Sequence, residues 1–153
     1  MSIIGSPIML GGGGGENPNL LIGTTWAAGY VQSNGSINSP DATRKEIYSD
    51  YIDVGSGSNR VFLFVTITDE TSPWLGVGFY DSNKASASPT RQTAEISYQT
   101  PDGQYMNYLV YNLTNTSIRY IRFSYRNYGS TTNKAGAFLV RDIGTDIGIP
   151  PLG

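Results

Sequence analysis

Apolar side chains recur at every second position through the middle of the chain, most clearly over Arg60–Thr68 (RVFLFVTIT). Val61, Leu63, Val65 and Ile67 share one side of this segment. Phe62, Phe64, Thr66 and Thr68 share the other. Successive side chains of a strand point to opposite faces, so a run that is mainly apolar on both predicts a central strand covered on both sides. Other segments repeat the pattern more weakly. Asn19–Thr24 is expected to open the domain as a first strand, and Trp26–Asp41 to be loop-like, with Asn34-Gly35 a hairpin turn and Ser39-Pro40-Asp41 a second break. Glu46–Val54 predicts a strand with Ile47, Ser49, Tyr51 and Asp53 on one face and Tyr48, Asp50, Ile52 and Val54 on the other. Trp74–Tyr80 follows Ser72-Pro73, and Asp81-Ser82-Asn83 turns the chain. Thr93–Tyr98, Met106–Leu113, Ser117–Tyr125 and Gly136–Arg141 complete the set, separated by Pro101-Asp102-Gly103 and the polar loop Asn127–Lys134. Within Ser117–Tyr125, Ile118, Tyr120, Arg122 and Ser124 oppose Arg119, Ile121, Phe123 and Tyr125.

About eight strands at regular spacing, with no amphipathic helix, predict an all-β fold: an antiparallel β-sandwich, jelly-roll-like, over 19–142. Its core is expected to hold Val61, Leu63, Val65, Ile67, Leu109, Ile121, Phe123 and Leu139. The two ends differ from the body. Five consecutive glycines, Gly11–Gly15, separate the mostly apolar Met1–Leu10 from it. Glycine loses the most backbone entropy on ordering, so the run predicts a flexible tether, and 1–18 an arm with its tether. Ile3, Ile4, Ile8, Met9 and Leu10 give that arm an apolar surface suited to assembly on a partner or into a homo-oligomer. The last residues, 143–153, are rich in Gly and Pro and predict a tail.

Composition narrows the chemistry. Only 14% of the 153 residues are charged, against about 25% in an average domain. The formal net charge is −2, which leaves no electrostatic footprint for nucleic acid or an anionic membrane. Cysteine and histidine are both absent, which excludes zinc sites built on them, thiol nucleophiles and histidine bases. The glycine run lacks the Gly-Lys-Ser/Thr ending of a phosphate loop. Asp69, Glu70, Glu95 and Asp102 are available for glycoside hydrolysis, but nothing in the sequence pairs two of them, and no catalytic role is expected. Asp81-Ser82-Asn83 lacks the acid-rich spacing of calcium loops and is read as a turn. No cofactor motif is present. Met1–Leu10 contains no Lys or Arg and is interrupted by Pro7, unlike a secretory signal. The protein is therefore expected to reach a cell exterior by lysis or as part of a particle.

Aromatic residues are the more informative feature. Eleven Tyr, five Phe and two Trp make up 12% of the chain. Sugar rings pack their C–H faces on aromatic rings, and Tyr and Trp add a polar tip for hydroxyls. Trp26, Tyr30 and Trp74 flank predicted turns, where binding residues collect. With Arg44 and Arg91 as hydrogen-bonding partners, they are the candidate glycan-binding set.

Several stretches together resemble a known family. Asn19-Leu20-Leu21, Trp26, Tyr48-Ser49-Asp50-Tyr51-Ile52-Asp53-Val54, Gly78-Phe79-Tyr80-Asp81-Ser82-Asn83-Lys84 and Ile118-Arg119-Tyr120-Ile121-Arg122-Phe123-Ser124 follow one another in this order. They resemble the carbohydrate-binding-module-like domains of bacteriophage tail, baseplate and head-fibre proteins, over roughly Asn19 to Arg141. The resemblance implies a β-sandwich displayed on a virion, a grip on host-surface glycans, and no catalytic residues. The expected function is thus a phage virion surface protein, anchored to capsid, neck or tail proteins by its arm. The alternatives are a purely structural decoration or fibre subunit, and a secreted bacterial carbohydrate-binding module.

Overall fold

The computed structural model describes residues 19–58, 60–89 and 92–140. The arm with its tether, Arg91 and the 143–153 tail lie outside the described residues. Among the described residues, eleven strands run in order: β1 Trp26–Ala28, β2 Tyr30–Val31, β3 Ile37–Asn38, β4 Glu46–Ser49, β5 Ile52–Asp53, β6 Arg60–Thr68, β7 Leu75–Tyr80, β8 Gln92–Gln99, β9 Tyr105–Leu113, β10 Tyr120–Arg126 and β11 Lys134–Val140. All pairings are antiparallel. One sheet has the order β11-β6-β9-β8. In the other, β10 is central, with β7 along one side, β4 and β5 end to end along the opposite side, and β1 outside β4.

The two sheets face each other across an aromatic core. Phe62, Phe64, Leu109, Leu113 and Ala137 from the first sheet meet Leu75, Val77, Phe79, Ile121, Phe123 and Tyr125 from the second. Phe64 is the junction, with its ring 6.3 Å from Phe79 and 6.2 Å from Phe123. This is an antiparallel β-sandwich. The expectation for β6 is met on both sides: all nine of its residues are buried. Its other face, Val61, Leu63, Val65 and Ile67, belongs to a second apolar cluster with Met106, Tyr108, Val110 and Phe138. That cluster lies on the outward side of the sheet, so the predicted core residues divide between two layers. Leu139 is the exception. It is 42% exposed, near the end of β11, which ends the sheet order.

Three sequence expectations are corrected. Asn19–Thr24 is a turn rather than a strand. The Asn19 side chain takes over the pairing role at the edge of β11: its Nδ2 donates to the Ala135 carbonyl at 3.0 Å and its Oδ1 accepts from the Ala137 N–H at 3.1 Å. The same Oδ1 accepts from the Leu21 N–H, and Leu21 is thereby turned into the core. Next, Trp26–Asp41 carries three short strands instead of a loop; β2 and β3 form a hairpin around the predicted Asn34-Gly35 turn. Finally, Glu46–Val54 is interrupted at Asp50-Tyr51, with consequences for the faces of its side chains.

The β2–β3 hairpin packs on the outward side of the second sheet. Gly76 and Gly78 make room for it. A Cβ at Gly78 would lie 2.6 Å from both Val31 Cγ1 and the Tyr80 hydroxyl. Ser124 ties the layers together, accepting from the Val31 N–H at 3.0 Å and donating to the Gly76 carbonyl at 3.2 Å.

Candidate functional site

Beside the hairpin, the outward face of the second sheet gathers four tyrosines around one arginine. Strand parity supplies most of them. On β10, Ile121, Phe123 and Tyr125 join the core, so Tyr120, Arg122 and Ser124 point outward. Cross-strand partners share a face, which adds Tyr80 opposite Tyr120 and Tyr48 opposite Ser124.

Tyr51 arrives by a different route. From the pair Tyr48–Ser124 to the pair Ile52–Ile121, the outer strand advances four residues while β10 advances three. The extra residue is a β-bulge, a device that re-aims side chains. Its hydrogen bonds are made locally. Ser49 Oγ accepts from the buried Phe123 N–H at 2.9 Å and donates to the Asp50 carbonyl at 2.9 Å. The Asp50 N–H donates to the Thr25 carbonyl at 3.0 Å, and the Tyr51 N–H to Asp50 Oδ1 at 2.7 Å. Beyond the bulge the parity is reversed. Ile52 turns inward against the core, and Tyr51 joins Tyr48 on the outward face, contrary to the strict alternation expected.

The rings meet edge to face: Tyr51 is 5.1 Å from Tyr80 and 6.2 Å from Tyr120. The Arg122 guanidinium lies 3.7 Å from the Tyr51 ring centre, 5.3 Å from Tyr80 and 5.8 Å from Tyr48. Lys84, in the turn after β7, holds its ammonium 5.0 Å from Tyr51 and 5.4 Å from Tyr120. Each cation–π contact of this kind contributes about 0.5–2 kcal/mol depending on desolvation. Tyr80 is buried, which pushes its phenol pKa up, with Arg122 opposing that shift. Its hydroxyl donates to the Gly35 carbonyl at 2.7 Å and so anchors the hairpin turn. Tyr48, Tyr51, Tyr120 and Arg122 are only half-buried. A cavity of about 260 Å³ opens beside them, lined by Thr25, Trp26, Ala27, Tyr48, Asp50 and Arg122.

The residues singled out from sequence fall in two places. Trp26 lines this cavity, but its ring packs edge-on against Tyr125 at 5.6 Å and Phe123 at 6.4 Å. It caps the open edge of the core and remains 37% exposed. Tyr30 and Trp74 do meet, at 5.8 Å. Arg126 lies 5.9 Å from the Trp74 ring and faces Glu46 at 3.9 Å. Arg44 pairs with the same Glu46 at 3.5 Å and with Asp41 at 3.4 Å. Tyr30, Trp74 and Arg44 are therefore linked through Arg126 and Glu46, and the arginines there are already paired. Sequence reasoning missed Tyr48, Tyr51, Tyr80, Tyr120, Lys84 and Arg122 as a set. The available signal was the shared parity of Tyr120 and Arg122.

Two other features bear on chemistry. Among the described residues, a cleft of about 450 Å³ between Thr71-Ser72-Pro73 and the ends of β8 and β9 is lined by no carboxylate, lysine or arginine. Two of the carboxylates considered for hydrolysis are engaged in structural hydrogen bonds: Asp69 accepts from Gln104 and Thr132, and Asp102 accepts from the Thr100 hydroxyl within its turn. Asp81 Oδ1 accepts from the N–H groups of Asn83 and Ala85, as a turn-forming aspartate does. Among the described residues, no three acidic side chains converge as a metal site.

No family model, no curated protein and no solved structure matches the chain.

Proposed function

We propose that this protein is a binding module of a bacteriophage particle, presenting the tyrosine–arginine face of its sandwich to host-surface glycans. The observation that carries the binding part is the β-bulge at Ser49–Tyr51. It spends a regular strand pairing to place Tyr51 beside Tyr48, Tyr80, Tyr120 and Arg122 on a partly open face. Such a face offers what a polyhydroxylated ring uses: apolar ring surface, phenol tips and a guanidinium edge. The virion setting rests on the resemblance of the strand motifs and on the apolar arm Met1–Leu10. A shallow site of this kind binds weakly, at about millimolar Kd. Many copies on one particle would raise the effective grip by a factor of about 10²–10⁴.

The reading is tested by screening the full chain against an array of host-wall saccharides, alongside Tyr51→Ala. Binding by the parent and its loss in a folded Tyr51→Ala variant supports the reading. Absence of binding to every saccharide, by protein and by whole particle, overturns it. Mass spectrometry of purified particles tests the setting separately.

A further inference from the structure

Arg122 differs from the other arginines of the sandwich face. Arg44, Arg119 and Arg126 each stand within ion-pair distance of a carboxylate: Glu46 for the first and third, Asp53 for the second. Among the described residues, no carboxylate pairs with Arg122. Like that of Arg44 and Arg126, its Nε is buried without a hydrogen-bond partner, so the missing carboxylate is what sets it apart. What holds it is stacking on Tyr51, flanked by Tyr48 and Tyr80.

A guanidinium stacked on a ring is oriented without using its in-plane N–H edge, and that edge matches a carboxylate or phosphate in a bidentate fork. A half-buried cation without a counter-ion is also incompletely compensated, and an incoming anion would complete it. Arg122 lines the cavity of about 260 Å³ described above. That is below the roughly 300–1,000 Å³ of sites for drug-sized ligands, and suits one sugar residue.

We infer that the saccharide taken by this face is acidic, with its carboxylate or phosphate seated on Arg122. The inference rests on the glycan-binding reading above. Asp50 lines the same cavity and sets the orientation. Its Oδ1 is engaged by the Tyr51 N–H, and as an acceptor-only group it suits sugar hydroxyls while repelling the acid group toward Arg122. Lys84, with its ammonium 5.0 Å from the Tyr51 ring centre and 5.4 Å from that of Tyr120, supplies a second positive charge on the face. The carboxylate nearest to Lys84 in the chain, Asp81, is committed to its turn.

The test is an NMR titration of the full chain with three probes: an oligogalacturonate, a glycerol-phosphate wall fragment and a neutral galacto-oligosaccharide. The expected result is binding of at least one acidic probe about tenfold or more tighter than the neutral one, in keeping with a charge-assisted hydrogen bond. Whichever acidic probe binds identifies carboxylate or phosphate as the anchor. The preference should shrink as NaCl is raised, because it is electrostatic. Arg122→Gln should reduce acidic binding to the neutral level, and Arg122→Lys should retain part of it. The salt series uses the parent protein, so it decides the matter even where a variant fails to fold. Equal binding of neutral and acidic probes overturns this inference and leaves the glycan reading standing. Absence of binding to all three, and to the wider array, overturns both.

Discussion

On the outward side of β6 and β9, Val61, Leu63, Val65, Ile67, Met106, Tyr108 and Val110 are all buried to below a tenth exposure or thereabouts, and none carries a charge. On the outward side of β10 and β4, Tyr48, Tyr120 and Arg122 are half-buried, and two glycines stand where the hairpin packs. Both sheets contribute the same kind of apolar residue to the space between them. They differ only in what they turn outward. A sheet that is apolar on both faces is a middle layer, and the outer side of such a layer serves cohesion. Tyrosine and arginine are amphipathic and tolerate partial exposure, so a face made of them can exchange water for a ligand. Under the proposed function, recognition and cohesion fall on opposite sides of one sandwich.

The largest test of this comparison is truncation on each side. Leu63→Ala removes a fully buried side chain from the outward apolar layer, and Ile121→Ala removes one from between the sheets. Each is expected to cost about 2–5 kcal/mol in chemical denaturation. A cost near zero for Leu63→Ala beside a full cost for Ile121→Ala would show that the outward layer is not packed, and the two faces would no longer contrast. Tyr120→Ala, on the tyrosine side, is expected to cost less than either.

A smaller effect sharpens the boundary within the tyrosine face. Gly78→Ala would drive a methyl group against Val31 and the Tyr80 hydroxyl. Overpacking of this kind costs about 1–3 kcal/mol. The expected signature is a lower denaturation midpoint with the hairpin resonances displaced. A neutral outcome would mean that the hairpin rides loosely, and that the uncovered half of the face is less well defined than its geometry implies.

Of comparable size is the bulge. Ser49→Ala deletes the oxygen that accepts from the Phe123 N–H. Leaving a buried donor unsatisfied costs about 1–3 kcal/mol. The variant is also expected to loosen Tyr51, and hence to weaken saccharide binding in a protein that remains folded. Loss of stability with binding unchanged would separate the bulge from the site and count against the proposed role of Tyr51.

How much of this was legible beforehand follows from where the period-two signal is undisturbed. Over β6, β9 and β10 it is regular, and the strand limits agree to within a few residues, as do the turns at Asn34-Gly35, Asp81-Ser82-Asn83 and Pro101-Asp102-Gly103. Asn19–Thr24 was misread because an asparagine amide can imitate a strand partner while the backbone turns. Strand pattern alone cannot reveal such side-chain pairing. The site was less legible still. Trp26, Tyr30 and Trp74 stand near turns, as expected, yet their rings are engaged with neighbouring rings. Tyr51 could be placed with Tyr48 only by knowing the bulge, and the bulge is a property of the pairing between β4, β5 and β10, not of Glu46–Val54 alone.

The smallest predicted effect is electrostatic and local to the tyrosine side. Arg119 and Asp53 form a two-point ion pair, at 2.7 and 2.8 Å, next to Tyr120. The Arg119 hydrogen bonds, and after them the Gly55 N–H, hold the Asp53 carboxyl below its ordinary pKa. A carboxyl depressed in the folded state contributes stability above its unfolded pKa of about 3.9 and loses that contribution as pH falls through the lower folded value. The pair is exposed on both sides, so solvent and salt screening keep the contribution slight. Acidification below the usual carboxylate range should therefore release β5 from Arg119 and shift the Tyr120 and Tyr51 signals, with those of Val65 and Met106 unmoved. Asp53→Asn should reproduce at neutral pH the shifts that acid produces in the parent. If the apolar-face signals moved with the tyrosine signals, the two sides would be mechanically coupled, and the division between a cohesive face and a recognition face would fail where it is most finely tested.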